Sequence, residues 1–207
     1  MKHAYDYFGD PERPRLYTGD FAASVRGSDP YAKHRRLYEQ CESSDPLDRA
    51  MYVDAKTYMV DDVLTKVDKM SMAVSLETRE PLLDHKLLEY AATIPSSLKL
   101  HQGTSKYLLR RLLQRRLPQS ILERKKQGFA APIGKWLSGP LRGIGQDLLF
   151  DGRLASRGIF RPDAIRKVWT SHTAGHADHS HRLWSLLMLE LWFREYIDGV
   201  AAESIAM

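Results

Sequence analysis

Residues 58–84 read YMVDDVLTKVDKMSMAVSLETREPLLD, alternating charged and apolar residues and closing on Pro81 and Asp84. Val60, Val63, Leu64 and Val67 recur at spacings of three, one and three, which sets them on one face of a helix. Asp61, Asp62, Thr65, Lys66, Asp68 and Lys69 fall on or beside the other face. Asp62 and Lys66 are four apart with the acid first, the favourable order for a helical ion pair. By composition alone this is a solvated helix face laced with salt bridges.

After that helix the chain must turn. Pro81 disfavours helical geometry at Glu80. Arg79 stands among the carboxylates of Glu77 and Asp84, and an Arg so placed pairs with them to fix a loop. Glu77, Arg79 and Asp84 are therefore expected to be structural ion pairs. Asp84 also predicts a cap for a helix over 85–93, ended by Ile94-Pro95.

Working outward, Gly9-Asp10-Pro11 and Arg13-Pro14 break the first residues, so 1–17 read as a flexible lead-in. Thr18 predicts a cap for a short helix to Val25, and Ser28-Asp29-Pro30 a cap for a helix over 31–41. Ser43-Ser44-Asp45-Pro46 repeats that signal, and the central helix is expected to run on toward Met70. A helix follows 103–105, with Tyr107, Leu108, Leu112 and Leu113 inward and the arginines outward, and ends at Leu117-Pro118. Residues 124–132 (RKKQGFAAP) do not read as a helix; such a glycine-containing basic loop brings backbone amides and an ammonium close to phosphate oxygens. Short pieces broken at Gly152 and Gly158 come next, then a helix opened by Arg161-Pro162. The last helix, 180–197, is apolar around most of its circumference, the mark of a core helix. The expectation is a mainly α chain with one helical domain over 18–198 and a tail at 199–207.

The 207 residues are enough for one sizeable core, and 43 % hydrophobic with 28 % charged residues suits a globular chain. No apolar run approaches the roughly 18 residues of a membrane span, and the first residues lack the apolar region of a secretory signal. Cys41 is the only cysteine, so no intrachain disulfide forms, and the cytoplasm is the expected compartment. The net charge of +5 is concentrated in Lys106, Arg110, Arg111, Arg115, Arg116, Arg124, Lys125 and Lys126, opposed only by Glu123. Such a patch suits phosphates or nucleic acid. Only Tyr107 and Phe129 lie within it, which is thin for a nucleic-acid surface, so no nucleic-acid partner is assigned. His172 and His176 have the spacing to share a metal on a helix, but Gly175 and the polar surroundings argue for a loop before the last helix, and no metal site is assigned.

Read as a string, Asp62, Leu64, Lys66, Val67, Asp68, Ser71-Met72-Ala73, Leu76-Glu77, Arg79, Pro81 and Leu83-Asp84 resemble the synthetase domain of glutamine-dependent asparagine synthetases. A second block agrees: Gly103, Lys106, Leu109-Arg110, Pro118, Ile121, Arg124, Lys126, Gln127-Gly128-Phe129, Pro132-Ile133 and Trp136-Leu137. The third is Leu183-Trp184, Leu187 and Leu191-Trp192, and the three blocks span 45–196 in family order.

The resemblance implies ATP-dependent activation of aspartate to β-aspartyl-AMP, with Mg²⁺, and displacement of AMP by ammonia. It makes Lys126 the catalytic lysine at the reacting phosphate. It makes Asp62, or Asp61 one residue away, the acid near the substrate, and Lys66 a basic position one turn on. The family's phosphate loop, SGGxDS, does not occur in the sequence, nor does SGExxDExFxGY, and Lys2 rather than a nucleophilic cysteine follows Met1. The chain is thus expected to be the helical C-terminal half of an α/β, PP-loop ATP-pyrophosphatase-like synthetase domain. ATP and Mg²⁺ would be bound mainly by an upstream half or a complementary chain, and the isolated chain would be inactive. A related amidotransferase acting on another carboxylate is the alternative within this chemistry; a non-catalytic basic helical binding module is the alternative outside it.

Overall fold

The computed structural model describes residues 8–9, 11–125 and 131–200. They are mainly helical, as expected, and divide into two compact units, one drawn from Met1–Ser28 with Gly128–Met207 and the other from Asp29–Gln127.

In the first unit the chain opens with α1 (Arg13–Leu16) and α2 (Gly19–Ser24). The Thr18 hydroxyl accepts the Phe21 N–H at 3.3 Å, the N-cap bond that the sequence anticipates. Thr18 N–H donates to Ile159 O and Arg161 N–H to Leu16 O, a short antiparallel contact that ties this entry to a segment some 140 residues later.

The second unit begins with α3 (Ala32–Gln40) and α4 (Pro46–Lys56). Asp45 caps α4 by accepting Leu47 N–H at 2.7 Å, and its other oxygen accepts the Ser96 hydroxyl. The Ser96 bond, with the Leu47 amide behind it, holds the Asp45 carboxyl below the usual carboxylate range. The expected unbroken helix toward Met70 is not found. Thr57 leaves helical geometry, and its buried hydroxyl donates back to Val53 O at 2.7 Å. Such a back-bond competes with the helical ladder. A π-helix (Met59–Leu64) follows, and α-geometry resumes in α5 (Thr65–Met72).

A 3₁₀ turn at Pro81–Leu83 leads to α6 (His85–Thr93), with Asp84 accepting Lys86 and Leu87 N–H groups. Next come α7 (Ser96–Lys99) and a hairpin of β1 (Leu100–His101) and β2 (Thr104–Ser105) that the sequence reading missed. Gln102 and Gly103 both have positive φ, as a two-residue hairpin turn requires. In α8 (Tyr107–Leu113) the inward–outward expectation fails in part. Leu108 and Leu112 are exposed, whereas Arg110 is half-buried because its guanidinium is bound to the carbonyls of Ser105 and Leu122. The unit closes with α9 (Gln119–Leu122).

The first unit resumes with α10 (Ile133–Ser138), α11 (Arg142–Phe150), α12 (Arg153–Ser156), α13 (Pro162–Thr173) and α14 (Ser180–Tyr196). Its core holds Leu137, Leu148, Leu154, Trp169, Leu183 and Leu186, with Leu137 and Leu183 fully buried. Each such leucine contributes about 2 kcal/mol by leaving water. The last helix is a core helix, though not apolar throughout. Glu190 and Arg194 are buried in it and paired at 2.8 Å, while Trp192 and Tyr196 reach solvent. The two units differ sharply in burial. In the second, Val53 is the one apolar side chain among the described residues that is fully sequestered, while Met70, Met72, Val74, Leu76, Leu82 and Tyr90 each expose more than half of their surface.

Candidate functional site

The residues singled out in 58–84 sit where helical geometry changes. The π-helix carries Asp61 and Asp62 in its first turn. A π-turn takes one residue more than an α-turn and is frequent at functional positions. The wider turn gives the two acids different partners. Asp62 meets Lys66 at 3.4 Å, along the helix, with both side chains about half exposed. Asp61 meets Lys33 of α3 at 2.8 Å, a partner 28 residues away that no local pattern could reveal. Asp61 is thus engaged by a neighbouring helix, and Asp62 stands in a looser pair within its own.

Arg79 pairs with Glu77 at 2.5 Å, and both are largely exposed. Asp84 is committed to the N-terminus of α6 through the two amides it caps. Among the described residues Arg79 is thus bound to Glu77, while Asp84 binds the α6 amides.

Lys126 lies outside the described residues, as do Gln127 to Phe129. The segment before it is described. Lys106 takes the left-handed conformation, φ 56°, as the N-cap of α8. That costs about 1 kcal/mol in a residue with a side chain. Beside it Tyr107 stacks on His101 with ring centroids 4.5 Å apart. A recess of about 140 Å³ opens among Thr104, Tyr107, Arg110, Arg111, Gln119 and Glu123. Arg110 is already held by two carbonyls, and Glu123 adds a carboxylate to the lining beside Arg111, so its charge is mixed and marks no anion site.

The histidines do not share a loop. His172 lies in the last turn of α13 and is buried, and His176 follows Gly175 in the exposed connection to α14. Among the described residues no three His, Cys, Asp or Glu side chains come together as a metal-holding set, so the Mg²⁺ implied by the resemblance has no donor set there. No helix of the described residues is long and apolar enough to cross a membrane.

Comparison with known proteins accounts for the motif blocks. The family model "Asparagine synthase" matches residues 6–194. The chain is 34 % identical over 158 residues to asparagine synthetase [glutamine-hydrolyzing] 1 of Bacillus subtilis, covering 76 % of this chain and 25 % of that protein. Asparagine synthetase [glutamine-hydrolyzing] 3 of the same organism is 38 % identical over 85 residues, 41 % of this chain and 14 % of its own length. A more distant relative, amidase chyE of Penicillium rubens, is 29 % identical over 136 residues, 60 % of this chain and 20 % of that protein. No solved structure matches. The chain spans a quarter or less of the length of these three relatives. With a family model matched along nearly its whole length, the chain belongs to the asparagine synthase family.

Proposed function

We propose that this chain is the helical C-terminal part of the synthetase domain of a glutamine-dependent asparagine synthetase. In that reaction aspartate and ATP give β-aspartyl-AMP and pyrophosphate, and glutamine-derived ammonia displaces AMP to yield asparagine. The observation that carries the reading is the family match over 6–194, a span that includes the 62–84 string and the 124–129 loop.

Within it Lys126 serves as the catalytic cation. Its ammonium neutralises charge that develops on the α-phosphate and pyrophosphate, and on the oxyanion formed as ammonia attacks. Asp62 and Lys66 hold the amino-acid substrate, which carries both signs of charge. Their 3.4 Å pair is loose and half exposed, so each can exchange its partner for the substrate's ammonium or carboxylate. Glu77, Arg79 and Asp84 shape the turn that follows.

The described residues do not fit Mg²⁺ by themselves, and no step here is routed through it. The nucleotide loop and the Mg²⁺ ligands belong to residues outside this chain, on a complementary segment or partner that also carries the glutaminase. Support comes from the second unit. Apolar side chains as exposed as Met70, Val74 and Leu82 are those a partner surface covers. The cytoplasm is the compartment that goes with this reading.

The test is capture of the tagged chain from its own cell extract, followed by ATP–pyrophosphate exchange with aspartate. Exchange that requires the captured partner and disappears in Lys126→Ala is the expected result. Asparagine formation by the purified chain alone would overturn the split-site reading. The likeness to a fungal amidase favours one second reading, amidation of a different carboxylate, which predicts exchange with another acid and none with aspartate.

A further inference from the structure

In the first unit a group of ionisable side chains gathers where α13, the connection at 174–179 and the start of α14 meet, apart from every residue assigned above. At its centre is His172, 6 % exposed. The His179 N–H donates to His172 Nδ1 at 3.2 Å. A nitrogen that accepts carries no proton, so the neutral ring bears its proton on Nε2. Nε2 is buried and has no hydrogen-bond partner among the described residues. A buried donor left in that state is costly, and one is kept when the rest of the ring's contacts hold it there.

The carboxylate of Asp178 stands 3.7 Å from the same Nδ1, too far for a good bond to the neutral ring but close enough to take a proton-bearing one. At present Asp178 Oδ1 accepts the Ser180 N–H at 2.9 Å, at the first residue of α14. That amide, with the Ser180 side chain, keeps the Asp178 carboxyl below its ordinary range, so it stays ionised as the pH falls through the histidine range. Gly134 of α10 lies against both groups: a Cβ there would lie 3.6 Å from His172 Cε1 and 3.7 Å from Asp178 Oδ1, while the Asp178 side chain is otherwise largely exposed.

We propose that His172 is a proton-operated latch on the 174–179 connection and the first turn of α14. Neutral His172 accepts the His179 amide and holds the connection closed. A proton taken up at Nδ1 turns that acceptor into a donor, so the His179 N–H loses its partner. The new N–H turns to Asp178, drawing the carboxylate from the Ser180 amide. One protonation thus breaks two bonds at the C-terminal end of the connection, and that end opens, while the Gly175, His176 and Ala177 amides keep their bonds to the His172 and Ser171 carbonyls. No bond other than N–H is made or broken, and the proton comes from solvent.

The other charged groups bearing on the ring do not perform this switch. Arg182 and His181 lie at the start of α14, Glu12 precedes α1, and Lys135, the ionisable residue of α10, is exposed. His179 is half-buried, and its Nε2 lies 3.2 Å from Ser171 Oγ. Burial foremost, then Arg182 and His172, pushes its own protonation to lower pH than usual. The proposal stands without the synthetase reading, since every residue and contact in it belongs to the described chain.

The experiment is NMR-detected amide exchange on the full 207-residue chain at about pH 7.5 and about pH 5.5, with intrinsic rates divided out and histidine ring protonation followed in the same samples. Protection of the His179 amide is expected to fall about ten-fold on acidification, in step with the His172 ring, while Leu148 in the core keeps its protection. His172→Asn keeps an acceptor near the Nδ1 position but cannot take the proton, and should show the same protection at both pH values. His179→Gln should retain the response at Ser180. Unchanged protection in the wild type, a loss that persists in His172→Asn, or a loss that follows the His179 ring would each overturn the latch. If His172→Asn does not fold, the wild-type comparison of exchange with the two ring titrations decides alone.

Discussion

Arg157 grips the fully buried carboxylate of Glu190 with two hydrogen bonds, Nε to Oε2 at 2.6 Å and Nη2 to Oε1 at 3.1 Å. Arg194 adds a third at 2.8 Å, and the two guanidiniums continue outward to Asp198 and Asp151. The Glu190 bond first, and that to Asp198 second, raise the Arg157 pKa above its ordinary value. Removing one member of such a set leaves buried charge uncompensated.

Glu190→Gln is therefore expected to cost about 3 kcal/mol, the lower end for a broken buried pair, because Asp151 and Asp198 still hold part of each guanidinium. Urea unfolding of the two proteins measures it. An unchanged midpoint would mean that the network contributes nothing to the folded state.

Two glycines of α11 should respond to alanine with opposite signs. At Gly143 a Cβ meets nothing within 4 Å, so Gly143→Ala should stabilise by about 0.5–1 kcal/mol through the backbone alone. At Gly145 it would lie 3.0 Å from Trp169 Cη2 and 3.2 Å from Cζ3, so Gly145→Ala should destabilise by about 1–3 kcal/mol through overpacking. Thermal melts of both variants make the comparison; two shifts of one sign would contradict the packing described.

Asp45 sets an acid limit on the second unit. Its folded pKa lies below the ordinary value of about 3.9, so the folded state binds its proton less readily than the unfolded state. Its contribution is complete above the unfolded value and is lost as the pH falls through the lower, folded one. Wild type and Asp45→Asn should thus differ in melting temperature near neutrality and converge in strong acid. A constant gap down to about pH 2 would remove Asp45 from the titration.

The two acids of the π-helix should separate by function rather than by stability. Both ion pairs are exposed, so Asp61→Asn and Asp62→Asn should each change stability by less than about 1 kcal/mol. On the function proposed above, Asp62→Asn in the assembled enzyme should raise the KM for aspartate, and Asp61→Asn, whose partner is Lys33, should leave it nearly unchanged. The reverse result would give the substrate role to Asp61.

Where a single residue and its next three decide the structure, the sequence was readable. Asp84 before His85 and Thr18 before Gly19 predict caps that the structure forms, and α6 falls on the anticipated 85–93. Distant partners were not readable. Arg157 lies 33 residues before Glu190, and nothing in the apolar pattern of α14 shows that its most buried polar residue is a carboxylate. The helix break at Thr57 depends on a back-bond to Val53 that many threonines could make and few do. Leu108 and Leu112 read as core by periodicity, yet periodicity cannot say whether the core they face lies within the same chain. The candidate site residues were named from the 62–84 and 124–129 blocks, and Lys126 lies outside the described residues. The Asp62–Lys66 pair was readable from its spacing of four, whereas the Asp61–Lys33 pair became visible only with α3 in place.

The π-turn at Met59–Leu64 also acts as a phase absorber. Each residue of an α-helix advances the next by about 100° around the axis. One residue added to a straight helix therefore rotates everything beyond it by roughly a quarter turn, whereas a π-turn takes the extra residue up within itself. Deleting a single residue here would convert the π-turn to an α-turn and leave Lys66, Lys69 and Met70 facing as they do now. The same deletion elsewhere in a helix would turn every side chain beyond it to a new direction.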